Sequence, residues 1–125
     1  MSIISFAWTT PAFVARQKSC TRRDWNDRYA KQFVPGRLAQ AWDQQPRYGG
    51  RRIGTIELLS VTRERYCDAP ASDWKAEGFD YLQRLGATVN GCEPVDLWNK
   101  WAQRQEACWV VRFEIVEICG AVNGR

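Results

Sequence analysis

The stretch that decides the fold is "RRIGTIELLSVTRERY", residues 51–66. Its residues alternate between two faces, with Ile56 and Leu58 on one side and Ile53 on the other, which predicts a β-strand. A strand normally runs for about five or six residues. The greater length of this one predicts a curved strand in a small barrel, with Gly54 easing a bend.

Similar patterns predict the rest of the chain. They indicate strands at 2–8, 37–44 and 107–120, helices at 11–18, 68–86 and 93–104, and a short helical turn within 24–33. Gly78 lies inside the second helix, a costly place for glycine unless a neighbour packs closely against it. Few strands with two long helical insertions predict an α+β fold, in which helices pack around a mainly antiparallel sheet that curls toward a small barrel.

The composition is that of a globular chain. The 125 residues suit one domain, 1–125, with 45% hydrophobic and 26% charged residues. No apolar run approaches the roughly 20 residues of a membrane span, and the N-terminus lacks the pattern of a signal peptide. We therefore expect a complete cytoplasmic protein without a membrane partner. The sequence does not predict the oligomeric state.

The chain has no histidine, which excludes catalytic triads, Cys–His pairs and H-E-x-x-H zinc sites. The five cysteines include no C-x-x-C pair, so we expect reduced, mostly buried thiols and neither a metal nor a cofactor. Cys20 is the exception. Because Lys18, Arg22 and Arg23 are its neighbours in sequence, we expect its thiolate to be favoured.

The segment "RQKSCTRRDW", residues 16–25, concentrates the polar chemistry. If residues 18–21 form a helical turn, Lys18 and Thr21 share one side and can meet. A lysine with a lowered pKa can take the proton of a hydroxyl, so the two residues form a candidate base and nucleophile. The other interpretation is a solvated helix end in which neither residue reacts.

Glu77 and two tryptophans are further candidates. Glu77 stands in "WKAEGF", between Trp74 and Phe79, and an apolar surround suits a carboxyl group to act as a general acid. Trp8 and Trp25 flank the 16–25 segment and could stack on a base. A surface ion pair for Glu77, and packing for the two indoles, are the alternatives.

Charge indicates a second kind of function. Lys and Arg outnumber Asp and Glu by 18 to 14, and most of the cations are arginines, which suit contact with phosphate. An RNA-binding module without chemistry would use the arginines for phosphates and the tryptophans for bases. Its candidate phosphate contacts are Arg16, Arg22, Arg23, Arg37 and Arg47. A ribonuclease in which Lys18 supports attack by a 2′-hydroxyl is a third hypothesis.

The 16–25 segment also resembles the signature of the ASCH domains, a PUA-like group of small β-barrels with the pattern G-x-K-x-x-T-x-R. Lys18, Thr21 and Arg23 match the pattern, and Arg16 stands at the position of the motif glycine. The segments "SFAWTTPAFVARQK", "FVPGRLAQAW", "GGRRIGTIELLSV", "DWKAEGFDYL" and "WVVRFEIVE" are similar in the same order. Arg37 replaces the acid that usually follows "PG".

The resemblance implies a function. Some small bacterial ASCH proteins are amidohydrolases that remove the acetyl group from N4-acetylcytidine with a Lys, a Thr and a Glu. The resemblance carries these roles to Lys18 as base, Thr21 as nucleophile and Glu77 as acid. The expected partner is a modified cytidine or related nucleoside, with RNA as a further candidate. The residues expected to bind the substrate are Arg22, Arg23, Trp8 and Trp25.

Overall fold

The computed structural model describes residues 1–119. Its strands are β1 (Ile3–Ser5), β2 (Cys20–Arg23), β3 (Leu38–Trp42), β4 (Arg52–Arg65) and β5 (Ala107–Ile118). Its helices are α1 (Thr10–Val14), α2 (Asp27–Ala30), α3 (Asp73–Ala76), α4 (Phe79–Leu85) and α5 (Pro94–Trp101). Short 3-10 turns cover Ala7–Thr9, Pro46–Tyr48 and Tyr66–Asp68.

The strands form one five-stranded sheet in the order β1-β3-β4-β5-β2. The pair β1–β3 is parallel and the other pairs are antiparallel, so the sheet is mixed. It curls strongly into a half-barrel with helices packed around it, which confirms the predicted α+β class and the curled sheet. The register of β4 against β5 shifts next to Thr55 and again near Ser60, as expected where a long strand bends.

Strand β5 divides two hydrophobic clusters between its faces. Val111 and Phe113 belong to the larger cluster, which joins the sheet to Phe6 and to Phe13 of α1. Cys108 and Val110 alternate with them and belong to a cluster that β2, α4 and α5 complete. The other members of the second cluster are Cys20, Tyr66, Phe79 and Trp101. Helices α1, α4 and α5 therefore pack on the sheet through apolar side chains.

Three predicted elements differ from the structure. The helix expected at 11–18 ends at Val14, and residues 20–23 form strand β2, which pairs with β5. Thr21 therefore lies on a strand, and the helical turn expected at 18–21 is wrong. The helix expected at 68–86 is two helices, α3 and α4, because Gly78 between them has a φ of +89°.

The strands predicted around residues 2–8, 37–44, 51–66 and 107–120 are present as β1, β3, β4 and β5. Residue 120, at the end of the last prediction, lies outside the described residues. Within residues 1–119 no helix is long and apolar enough to cross a membrane.

Candidate active site

A cavity of about 300 Å³ opens at the β2 edge of the sheet. Lys18, Thr21 and Glu77 all line it, although Glu77 is 59 positions from Lys18 in the chain. Arg22 and Arg23 add two further cations to its wall, and the apolar part of the wall includes Phe6, Phe79, Leu97 and Trp101. The cavity therefore lies where the two hydrophobic clusters meet around the end of the sheet.

Glu77 and Lys18 form a buried ion pair. Their side chains are only 3% and 1% exposed, and Lys18 Nζ lies 3.3 Å from Glu77 Oε1. Lys18 Nζ also donates to the backbone carbonyl of Glu77 at 2.7 Å. Both groups are thus held in one geometry from which a proton can pass between them.

A second cation holds the other oxygen of Glu77. Arg22 donates to Glu77 Oε2 at 2.7 Å and to Asp73 Oδ2 at 2.5 Å. Asp73 in turn accepts two hydrogen bonds from Arg112 of β5, each 2.9 Å long. Two buried cations therefore hold Glu77 in addition to the apolar wall, which its sequence context alone did not predict.

Gly78 brings the Glu77 turn against α1. A methyl group at Gly78 would lie 2.6 Å from Ala12 Cβ and 3.4 Å from Lys18 Cβ. With a φ of +89°, the position also favours glycine over any residue that has a side chain. This close approach is the reason for the glycine that the helical pattern left unexplained, because it seats Glu77 beside Lys18.

Side chains alternate along a strand, so Thr21 and Arg23 lie on the face of β2 opposite to that of Arg22. Arg23 Nε donates to Thr21 Oγ1 at 3.1 Å, and its Nη2 donates to the carbonyl of Ser5 at 2.7 Å. Ser5 belongs to β1, so Arg23 joins the two edge strands of the curled sheet. Within residues 1–119 no hydrogen bond connects Lys18 Nζ directly to Thr21 Oγ1.

The two candidate stacking residues lie in different places. Trp8 follows Ala7, which has a positive φ of 45°, and its side chain lines the cavity while 56% of the residue is exposed. Trp25 does not line this cavity. Its ring stacks on Phe33, with centroids 4.1 Å apart, and it packs against the larger hydrophobic cluster. The structure therefore gives Trp25 a packing role and leaves Trp8 at the rim.

Burial shifts the pKa values of two cations in the site, Lys18 and Arg23. It lowers the pKa of Lys18 below its usual value, and the charge of Arg23 acts the same way, whereas the Glu77 carboxylate opposes both. Burial likewise lowers the pKa of Arg23. For Arg22, Glu77 and Asp73 outweigh the effect of burial and raise the pKa. Lys18 is therefore the cation of this site best suited to give up its proton.

Cys20 contradicts the expectation of a favoured thiolate. It is fully buried, and burial followed by the negative charge of Glu77 raises its pKa to about 12. The five cysteines are free, as expected, but only Cys20 and Cys108 are fully buried. The cations beside Cys20 in the sequence therefore did not predict its pKa, because the carboxylate of Glu77 lies next to it in space.

Asp73 and Arg112 are the parts of the site that the sequence did not reveal. Asp73 is 1% exposed, and it reaches the site because α3 packs against β2. The one available signal was an arginine in the apolar strand "WVVRFEIV". A cation between buried strand residues needs a partner, and Asp73 supplies it.

Comparison with known proteins supports the fold. No family model and no curated protein matches the sequence. The crystal structure of protein EF3133 from Enterococcus faecalis V583, of the family DUF984, aligns with a TM-score of 0.57 at 14% identity. The alignment covers 97% of this chain and 80% of that chain. At this identity the likeness concerns the fold, a small curled half-barrel that is compatible with the PUA-like class.

Proposed function

We propose that this protein is an amidohydrolase that removes the acyl group from N4-acetylcytidine or a related N4-acylated cytosine nucleoside. The observation that carries the proposal is the cavity shared by Lys18, Thr21 and Glu77. These are the residue types that the resemblance to ASCH domains implies for this reaction. Membership of that family and a cytoplasmic location belong to the proposal as well.

The first step forms a tetrahedral oxyanion bonded to Thr21 Oγ1, and the ester follows when this oxyanion collapses. Neutral Lys18 takes the proton of the Thr21 hydroxyl, and Oγ1 attacks the acyl carbon while the carbonyl electrons move to its oxygen. The Arg23 guanidinium, which contacts Thr21 Oγ1 at 3.1 Å, can donate to that oxyanion. Trp8 is available at the rim to stack on the cytosine ring.

The second step releases the amine. As the oxyanion collapses, the bond between the acyl carbon and N4 breaks, and N4 needs a proton. Lys18 has gained one, and Glu77 Oε1 lies 3.3 Å away, so Glu77 can accept the proton and pass it to the leaving nitrogen. A water molecule then attacks the ester carbon while Lys18 takes its proton. The bond from that carbon to Thr21 Oγ1 breaks, Lys18 returns the proton to Oγ1, and the carboxylic acid leaves.

Substitutions at the nucleophile and the base test the reaction. Thr21→Ala and Lys18→Met should each lower the rate of N4-acetylcytidine deacetylation by about 10²–10⁴-fold, because each removes a group that moves the reacting proton or bond. Thr21→Ser, which keeps the hydroxyl, should retain measurable activity. Product formation is followed by chromatography, and circular dichroism checks that each variant is folded.

Matched controls are Thr62→Ala and Lys31→Ala, which change exposed residues away from the cavity. Both should turn over like the wild type. Full activity in Thr21→Ala would overturn the proposal. If the wild type deacetylates no N4-acylated cytosine nucleoside but binds RNA, the module without chemistry replaces it, and cleavage of labelled RNA would point to a ribonuclease.

A further inference from the structure

A second cavity, of about 390 Å³, lies on the other side of Lys18. The loop between α1 and β2 and the start of α3 form it. Lys18, Arg16 and Lys75 contribute cations to its wall, and Ser19 and Ser72 contribute hydroxyl groups. No carboxylate lines it within residues 1–119, so its wall is positively charged.

Two of these cations are available to a ligand. Arg16 and Lys75 are exposed, and neither forms an ion pair with an acid of residues 1–119. Lys18 differs, because its ammonium group is engaged with Glu77. Free cations and hydroxyl donors that converge on one concavity suit an anion that accepts several hydrogen bonds, such as a phosphate group.

The backbone of Arg16 supports a role for its side chain. Arg16 follows the last turn of α1 with a φ of +59°, the left-handed position at which helices usually carry glycine. The backbone of this helix end is closed by hydrogen bonds from Arg16 N to the carbonyl of Phe13 and from Gln17 N to the carbonyl of Ala12. Within the described residues the side chain of Arg16 makes no hydrogen bond. The helix end therefore holds the Arg16 side chain at the wall of the cavity, where it is available to a ligand.

We propose that this cavity binds a phosphate group, which makes a cytidine nucleotide a better ligand than the free nucleoside. The phosphate site stands on Arg16, Lys75 and the two serines. The identity of the base rests on the proposed function, because Lys18 lines both cavities. The substrate class follows from this arrangement: an N4-acylated cytosine that carries a phosphate.

Binding measured by NMR tests the site without any turnover. Isotope-labelled protein is titrated separately with inorganic phosphate, cytidine and cytidine 5′-monophosphate. We expect the monophosphate to bind more tightly than cytidine, with shifts at the amides of Ser19 and Lys75. Arg16→Gly and Lys75→Ala should each weaken binding of the monophosphate by about two- to fivefold and leave cytidine unaffected.

The controls separate charge from folding. Lys31→Ala removes an exposed lysine elsewhere and should leave binding unchanged. Arg16→Gly relieves the left-handed strain, so its melting temperature should rise by about 2–6 °C while its phosphate affinity falls. A merely structural role for Arg16 would not give that combination.

The possible outcomes separate the phosphate site, the nucleotide ligand and the proposed function. If neither phosphate nor the monophosphate shifts these amides, or if Arg16→Gly binds both normally, there is no phosphate site. If inorganic phosphate binds through Arg16 but the monophosphate binds no better than cytidine, the assignment of a nucleotide is wrong. Absence of deacetylation with Arg16-dependent phosphate binding would overturn the proposed function and leave this site standing.

Discussion

At the scale of single residues, the proposed chemistry depends on the protonation of Lys18. Burial removes water from the ammonium group of Lys18 and lowers its pKa, and the Glu77 carboxylate offsets only part of that shift. The same lysine on an exposed helix end would not have its pKa lowered by burial. Burial is therefore what makes a lysine usable as a base in a chain without histidine.

The activity should rise with pH through the titration of Lys18. Because the base must be neutral and its pKa is lowered, the rising limb of kcat/KM should lie below the ordinary lysine value of 10.5. Initial rates across the pH range of the folded enzyme measure it. Lys31→Ala, the control, should keep this limb, and Lys18→Arg should lose activity at every pH. A limb unchanged in Lys18→Arg would assign it to another group.

At the scale of elements, the break between α3 and α4 positions the acid. The pattern of 68–86 predicts one continuous helix, but a continuous helix could not approach Ala12 and Lys18 so closely. Gly78 is left-handed and separates α4 from α3, so Glu77 becomes the C-cap residue of α3. The turn, and not the helical face, directs the carboxylate into the cavity.

Gly78→Ala should destabilise the protein by about 2–4 kcal/mol, because it adds a clash with Ala12 to left-handed strain. Gly36→Ala is the matched control: its φ is also +89°, but nothing lies within 4 Å of the added methyl group. It should cost only the strain, about 1–2 kcal/mol. Urea denaturation measures both variants, and equal losses would mean that the contact with Ala12 is unimportant.

At the scale of the whole molecule, the curl of the sheet and one buried ion network assemble the site. Strands β1 and β2 are the two edges of the sheet, and the curl brings them close enough for Arg23 to bridge them. Asp73 then ties α3 to β2 through Arg22 and to β5 through Arg112. Helix α3, the edge strand β2 and its neighbour β5 are thus fixed relative to one another.

Asp73→Asn should cost about 3–5 kcal/mol at neutral pH, because it leaves Arg22 buried with one partner fewer. Burial raises the pKa of Asp73, but the hydrogen bonds from Arg112 and Arg22 outweigh it and lower the pKa below 3.8. A carboxylate with a lowered pKa stabilises the fold above its unfolded pKa and loses that contribution as the pH falls through its folded pKa. Below pH 3.8, denaturation of the wild type and of Asp73→Asn should therefore converge.

The control is Asp68→Asn, whose partner Arg65 is exposed, as is Asp68 itself. That ion pair should contribute no more than about 1 kcal/mol. If Asp73→Asn matches this small loss at neutral pH, the buried network does not hold α3 in place.

The sequence alone determined the long strands, the α+β class and the residue types available for chemistry. Alternation in residues 51–66 is visible without a structure because side chains of a strand meet two different environments. The absence of histidine likewise needs no coordinates. Strand β2 was not predicted, since four residues dominated by charge give no alternating apolar signal, and the pairing with β5 outweighs local preference.

Only the tertiary structure decided what those residues do to one another. It places Lys18 beside Glu77 and buries Cys20 against the same carboxylate. It also stacks Trp25 on Phe33. The physical reason is that burial and charge are properties of neighbours in space, which sequence distance does not report. Arg22 and Arg23 are adjacent in the chain, yet they face opposite sides of one strand and meet different partners.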